Sequence, residues 1–262
     1  MSIPKSHPRY VSLKTRDTIV DGVKKGITST HGLIAHGRGE AFDYLIKEKT
    51  QKFALEAIEA AACLLLSAKE PLISVNGNVA ALCPKEIVSL AKLIPAKIEV
   101  NIFHTRKNRR FFVSQKSEGF FRKSKKRGIA IAAYLAKNGA KEVLMPKKPL
   151  IKYIESNRRF CNPQGIAKAD VVFVPLEDGD RCKALEKMGK KVITVDLNPM
   201  SRTSKAATIT IVDNIKRALP ILIKTIKRYK KLNKNKLKNK IKRYNNKKIL
   251  KESLQYISKS LS

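Results

Sequence analysis

Pro71-Leu-Ile-Ser-Val75 passes straight into Asn76-Gly77-Asn78-Val-Ala-Ala-Leu82, and the architecture follows from that junction. The first five residues read as a short apolar strand. The Asn-Gly-Asn that ends it sets polar side chains and free backbone N–H groups at the strand's carboxyl edge, where open α/β sheets bind ligands. Next, Pro84 opens a helix that aligns Ile87, Leu90, Ala91 and Ile94 on one face, and Lys97 to Phe103 alternates as a second strand. Strand, helix, strand in this order predicts a βαβ unit and a parallel sheet.

Further strands are expected at Gly139–Met145, Asp170–Leu176, Lys191–Val195 and Ala207–Val212, with helices between them. Upstream, Tyr10 to Val23 spaces Leu13, Ile19, Val20 and Val23 for a helix face, and Phe42 to about Leu66 reads as one long helix. The fold class is therefore α/β, with a mostly parallel sheet, flanking helices and an N-terminal helical segment. Polar clusters recur where strands end, at Asn76–Asn78, Glu177–Arg181, Asp196–Thr203 and Asp213-Asn214. In a parallel sheet those ends share one rim, so they converge on one crevice. Asp196 and Asn198 suit a ribose or base edge, while Arg202 and Thr203 at a helix start suit phosphate. Neither G-x-G-x-x-G nor G-x-x-x-x-G-K-[ST] occurs.

Thr30 to Tyr44 holds His36-Gly-Arg38-Gly-Glu40, an imidazole, a guanidinium and a carboxylate on alternate residues. It reads as a glycine-rich loop that forms a polar pocket, with Arg38 suited to a phosphate or carboxylate. Arg16 reads as a surface residue of the first helix.

At 262 residues and 43% hydrophobic content, the chain can bury a sizeable core. No apolar run nears the roughly 20 residues of a membrane span, and Met1 to Lys5 lacks a signal-peptide pattern, so a cytoplasmic protein without membrane association is expected. Cys63, Cys83, Cys161 and Cys182 form no C-x-x-C pair and read as buried hydrophobes; His7, His31, His36 and His104 show no metal-ligand spacing. The net charge of +35 is concentrated in two places. Residues 216–251 carry 16 Lys or Arg and no acid, and residues 104–128 carry 10 against the single acid Glu118. The expected organisation is one α/β domain over 1–228 with a basic insertion near 104–128, followed by a lysine-rich tail over 229–262. With few apolar residues per charge, that tail should be a loose helix or disordered, dispensable for stability and chemistry, and able to bind nucleic acid only non-specifically.

Five motifs in order, Ile3-Pro-Lys-Ser-His-Pro-Arg-Tyr10, Gly32 to Leu45, Ser74 to Leu82, Glu177 to Arg181 and Asp196 to Thr203, together resemble the archaeal phosphopantothenate synthetase family, also called 4-phosphopantoate–beta-alanine ligase. The resemblance covers about residues 3–225. It implies a Rossmann-like homodimer in coenzyme A synthesis that joins 4-phosphopantoate to β-alanine as ATP becomes AMP and pyrophosphate. Because a carboxylate is a poor acyl donor, an acyl-adenylate is expected, with Arg38, Arg202 and Mg2+ stabilising the phosphate charge. Carried over by motif, the ATP contacts fall on Arg16, Arg38, Asp196-Leu197-Asn198, Arg202-Thr203 and Asn214-Ile215. His36, Arg38 and Glu40 are the candidates for the chemistry; the rim residues Asn76, Asn78, Asp178 and Asp180 are those for the two other substrates. The residues alone also admit a nucleotide-binding regulatory protein without turnover, or a basic nucleic-acid-binding protein. The insertion and the tail are where the chain departs from the family pattern.

Overall fold

A computed structural model describes residues 3–101 and 115–261. Among these, β1 (Pro71–Val75), β2 (Lys97–Val100), β3 (Val143–Leu144), β4 (Val171–Phe173), β5 (Lys191–Val195) and β6 (Ile209–Ile211) form one six-stranded sheet in the order β3-β2-β1-β4-β5-β6. Every pairing is parallel. The chain winds outward from β1 to β3, returns to β4 beside β1, and winds the other way to β6. That reversal leaves a crevice between the carboxyl ends of β1 and β4.

The helices are α1 (Tyr10–Lys24), α2 (Thr30–Leu45), α3 (Lys52–Ser67), α4 (Gly77–Leu82), α5 (Pro84–Leu93), α6 (Gln115–Lys137), α7 (Gly179–Lys187), α8 (Arg202–Ala206), α9 (Ile215–Tyr229), α10 (Lys234–Arg243) and α11 (Asn246–Leu261). Central to the core is α3, whose Ala54, Ala57, Ile58, Ala61, Cys63 and Leu65 are buried where it packs against β6 and α9. All four cysteines are free and buried, as expected.

Three expectations need correction. The Thr30–Tyr44 stretch is not a glycine-rich loop but the helix α2. Ser29 caps it, its hydroxyl accepting from the Gly32 N–H at 3.4 Å. Each glycine inside a helix costs about 1 kcal/mol relative to alanine. Here Gly32 earns its place, because a Cβ would lie 2.4 Å from Asn78 Oδ1 and 2.5 Å from Thr28 Oγ1. Nor does one helix run from Phe42 to Leu66. The chain breaks between α2 and α3, with Lys47 and Glu48 at φ 61° and 50°. The basic insertion runs into α6, which begins at Gln115. The rest of that insertion, with the end of the second expected strand at Ile102-Phe103, lies outside the described residues.

The third correction is the tail. Leu237, Ile249, Leu250, Ser253 and Ile257 are buried, the four apolar ones in the same cluster as α3 and α9. Tyr256 meets Phe53 edge-to-face at 6.0 Å between ring centroids. Asn246 closes the exposed edge of β6, accepting from the Thr210 N–H at 2.8 Å and donating to Ser204 O at 2.9 Å and Ala207 O at 3.1 Å. The charge count misleads because lysine stems fan into solvent while a few aliphatic residues per helix face inward. Two acids on α3 neutralise part of the excess: Glu59 meets Arg228 and Lys240, and Glu56 lies 3.9 Å from Lys248.

Candidate active site

Most polar groups at the sheet's rim are spent on building it. Asn76 caps α4 by accepting from the Val79 N–H at 3.1 Å, and its amide donates to Leu176 O at 2.8 Å, stitching the end of β1 to the chain after β4. Asn78 accepts from Thr28 Oγ1 at 2.6 Å and donates to Gly32 O at 2.8 Å, which docks α2 onto α4. Between them, Gly77 is so close to the chain that a Cβ would sit 2.6 Å from Ile27 O. Asn76 and Asn78 therefore shape the pocket wall, and their side chains are already satisfied.

On the other side, the Asp196 carboxylate organises its own turn. It accepts from the Asn198 N–H at 2.9 Å and from the Ser201 hydroxyl. Burial pushes the Asp196 carboxyl up, against the bonds from Ser201 and Asn198. The turn feeds α8, where Ser201 caps and Arg202 and Thr203 begin the helix. Asn214 caps α9 and donates to Asp43 Oδ2 at 2.8 Å. Asp178 pairs with Arg158, and Asp180 with Arg202.

Beneath the floor runs a buried row of charge. Glu99 on β2 accepts from the N–H groups of Asn162 at 2.9 Å and Ile166 at 2.8 Å. Arg181, fully buried, lies with its Nε 3.7 Å from Glu177, which also accepts from Asn101 Nδ2. Burial pushes the Glu177 carboxyl up against the pull of Arg181. This row fixes the loop at 162–166 to the sheet and points Glu177 and Asn101 toward the crevice.

The result is a cleft of about 1160 Å³ over the reversal of the sheet. It gathers Arg38 and His36 from α2, Asn76 and Asn78 from α4, Asp178 and Asp180 beside β4, Asp196-Leu197-Asn198, Arg202-Thr203 and Asn214-Ile215. Two expected members are not brought into its lining. Arg16 Nε donates to Glu40 Oε2 at 2.7 Å, and Tyr44 donates to Glu40 Oε1 at 2.7 Å. Burial raises the Glu40 carboxyl, but those two bonds outweigh it and hold it below its usual range. A carboxylate so committed is a poor proton acceptor. His36 differs: its Nε2 is enclosed without a hydrogen-bond partner among the described residues. Burial, aided by Arg16, lowers its pKa against the pull of Glu40 and Asp43.

Asn101, Arg127, Arg158 and Glu177 also line the cleft. Asn101 follows β2 as Asn76 follows β1, but the alternation carries the expected strand on to Phe103 and so places Asn101 inside it. Arg127 and Arg158 come from an insertion and an irregular stretch, with no sequence pattern to mark them.

These features define an α/β protein of the doubly wound class, with a ligand cleft at the switch point of its sheet. The family model described as phosphopantothenate/pantothenate synthetase matches residues 53–119 and 116–260. The chain is 48% identical over 259 residues to the 4-phosphopantoate--beta-alanine ligase of Methanosarcina mazei, covering 99% of this chain and 95% of that protein. It is 46% and 45% identical to the 4-phosphopantoate--beta-alanine ligases of Thermococcus onnurineus and Thermococcus kodakarensis, over 100% of this chain and 94% of each relative. The chain belongs to the phosphopantothenate/pantothenate synthetase family.

Proposed function

We propose that this protein is the ligase that joins 4-phosphopantoate to β-alanine at the expense of ATP, as a step of coenzyme A synthesis. The observation that carries the reading is the cleft itself, which gathers Arg38, Asp196–Asn198, Arg202-Thr203 and Asn214-Ile215 from separate elements onto one rim. At about 1160 Å³ it exceeds the roughly 300–1,000 Å³ of a typical single-ligand site, leaving room for a nucleotide beside a second substrate. In this reading the nucleoside lies along Asp196–Asn198 and Asn214-Ile215, and the phosphates reach toward Arg202, Thr203 and Arg38.

A carboxylate is a poor acyl donor. Its oxygen attacks the α-phosphorus of ATP, pyrophosphate leaves, and the acyl-adenylate results. The β-alanine nitrogen then attacks the acyl carbon, AMP departs with the carboxylate oxygen that had attacked phosphorus, and the amine gives up a proton. Both steps place charge on phosphate oxygens, where the Arg38 and Arg202 guanidiniums act. Among the described residues no group of three or more His, Cys, Asp or Glu could hold a metal ion. Magnesium carried by the nucleotide's phosphates would be held by a rim carboxylate, Asp178 or Asp180. When bound, it neutralises phosphate charge.

His36 is the group proposed to accept the amine's proton. Burial keeps its pKa below the ordinary 6.5, so the imidazole is neutral at pH 7 and can take up a proton. Because protonation removes that acceptor, kcat/KM should be level near pH 7 and fall on acidification, with its midpoint below 6.5. His36→Gln should abolish that acid limb; an identical limb in the variant would exclude the role.

The homodimer implied by the resemblance finds support in Val11, Ile34 and Tyr44, exposed on α1 and α2. Arg16, on the same α1, would then touch ATP only after leaving Glu40 or by reaching across to a neighbouring copy. No helix of the described residues is long and apolar enough to cross a membrane. Product analysis tests the whole reading: AMP should form one-for-one with 4'-phosphopantothenate, and only when 4-phosphopantoate and β-alanine are both present. Binding of ATP without turnover under these conditions would favour a regulatory protein instead.

A further inference from the structure

Among the described residues four arginines line the cleft, and they are not equivalent. Arg158 is held by Asp178 and Arg202 by Asp180. Arg38 and Arg127 have neither an ion pair nor a hydrogen bond among the described residues. Arg38 is exposed on α2, so water solvates it at little cost. Arg127 is only half exposed on α6, and burial pulls its pKa down with no carboxylate among the described residues to offset it. A partly desolvated cation without a counter-charge is unfavourable, and it is a feature that a bound anion would relieve.

Its position says which anion. Arg127 sits on α6, which packs against α4, β2 and β3, on the half of the sheet that runs outward from β1 to β3. The groups assigned to the nucleotide, Asp196–Asn198, Arg202-Thr203 and Asn214-Ile215, all follow β5 and β6 on the opposite half. The cleft therefore carries cations at both ends, with the crevice between β1 and β4 in the middle. A nucleotide anchored at one end leaves Arg127 for the other substrate. We propose that Arg127 binds the phosphate monoester of the acid substrate, and so selects the phosphorylated acid over its unphosphorylated counterpart. A guanidinium fork matches two oxygens of a phosphate dianion, which an alcohol at the same place cannot replace. This rests on the ligase reading, and it gives the basic insertion a task in the site.

The test compares full-length wild type and Arg127→Ala with 4-phosphopantoate and with pantoate, each with saturating ATP, magnesium and β-alanine. The variant should lose about tenfold to a hundredfold in kcat/KM for 4-phosphopantoate, mainly through KM. Pantoate turnover and the KM for ATP should stay within about twofold, since neither involves that phosphate. Arg127→Lys should fall between, because it keeps the charge and loses the fork. Should Arg127→Ala prove unstable, Arg127→Lys alone decides, by the same ratio of the two acids. An unchanged preference for the phosphorylated acid, or a rise in the KM for ATP instead, overturns the proposal. A wild type that turns over neither acid would overturn the ligase reading itself, a different result from either.

Discussion

A chain ended at Arg228 is expected to lose at least about 10 °C in melting temperature, or to fail to fold, and to lose activity with it. The estimate follows from what α10 and α11 cover. Burying an aliphatic side chain is worth about 1.5–3 kcal/mol, and the truncation removes four buried ones, Leu237, Ile249, Leu250 and Ile257. It also uncovers the α3 face and takes Tyr256 from Phe53. The Thr210 N–H on the edge strand loses Asn246, and an unsatisfied buried donor costs about 1–3 kcal/mol. Ordering entropy of the tail offsets part of this, yet the whole margin of a folded domain is only about 5–15 kcal/mol. At about 2–4 °C per kcal/mol for a chain of this size, a net loss of a few kcal/mol suffices. The active site should suffer first, because Asn246 holds the carbonyls of Ser204 and Ala207 at the end of α8, whose start is Arg202-Thr203. Scanning calorimetry and AMP release on the truncated chain measure both effects. A melting temperature within a few degrees of the full chain, with activity intact, would show the tail to be the appendage its composition suggests.

That contrast marks where sequence reasoning works here and where it stops. The junction at Val75-Asn76 revealed the parallel sheet, because a short apolar strand followed by a capped helix has few other readings. Strand-end polarity located the rim, and Asp196, Arg202 and Asn214 all lie on it. The same rule missed Asn101, because the alternation carries the second strand on to Phe103 while β2 ends at Val100. What it could not give is which polar side chains remain free after folding. Asn76 and Asn78 look like ligand contacts in sequence, yet three-dimensional packing commits Asn76 to the start of α4 and to Leu176 O, and Asn78 to Thr28 and Gly32 O. Glu40 likewise reads as a base and is bound to Arg16 and Tyr44. The α2 helix itself was hidden by its glycines: Gly32 sits where Asn78 of α4 leaves no room for a Cβ, whereas Gly37 and Gly39 have room for one and simply mimic a loop in sequence. In the tail, net charge concealed a thin apolar face that only the partner helix α3 makes visible.

Arg38→Ala should weaken catalysis about tenfold to over a hundredfold in kcat/KM. Arg38 lines the cleft on α2 with no ion pair or hydrogen bond among the described residues, so its guanidinium needs no release before it meets an anion. A hydrogen bond to a charged group is worth about 1.5–3 kcal/mol, and 1.36 kcal/mol is a factor of ten. Because Arg38 is exposed and holds no neighbour in place, the melting temperature should hardly move. Retained kcat/KM for both ATP and 4-phosphopantoate would remove Arg38 from the site.

The central claim is that this cleft activates a carboxylate by adenylation before the amine attacks. The direct measurement uses 4-phosphopantoate with both carboxylate oxygens as 18O, with ATP, magnesium and β-alanine, and mass analysis of the products. Attack on the α-phosphorus predicts one 18O in the phosphate of AMP for each 4'-phosphopantothenate formed, and none in pyrophosphate. Label found in inorganic phosphate, with ADP as the nucleotide product, or AMP formed without label, would contradict it.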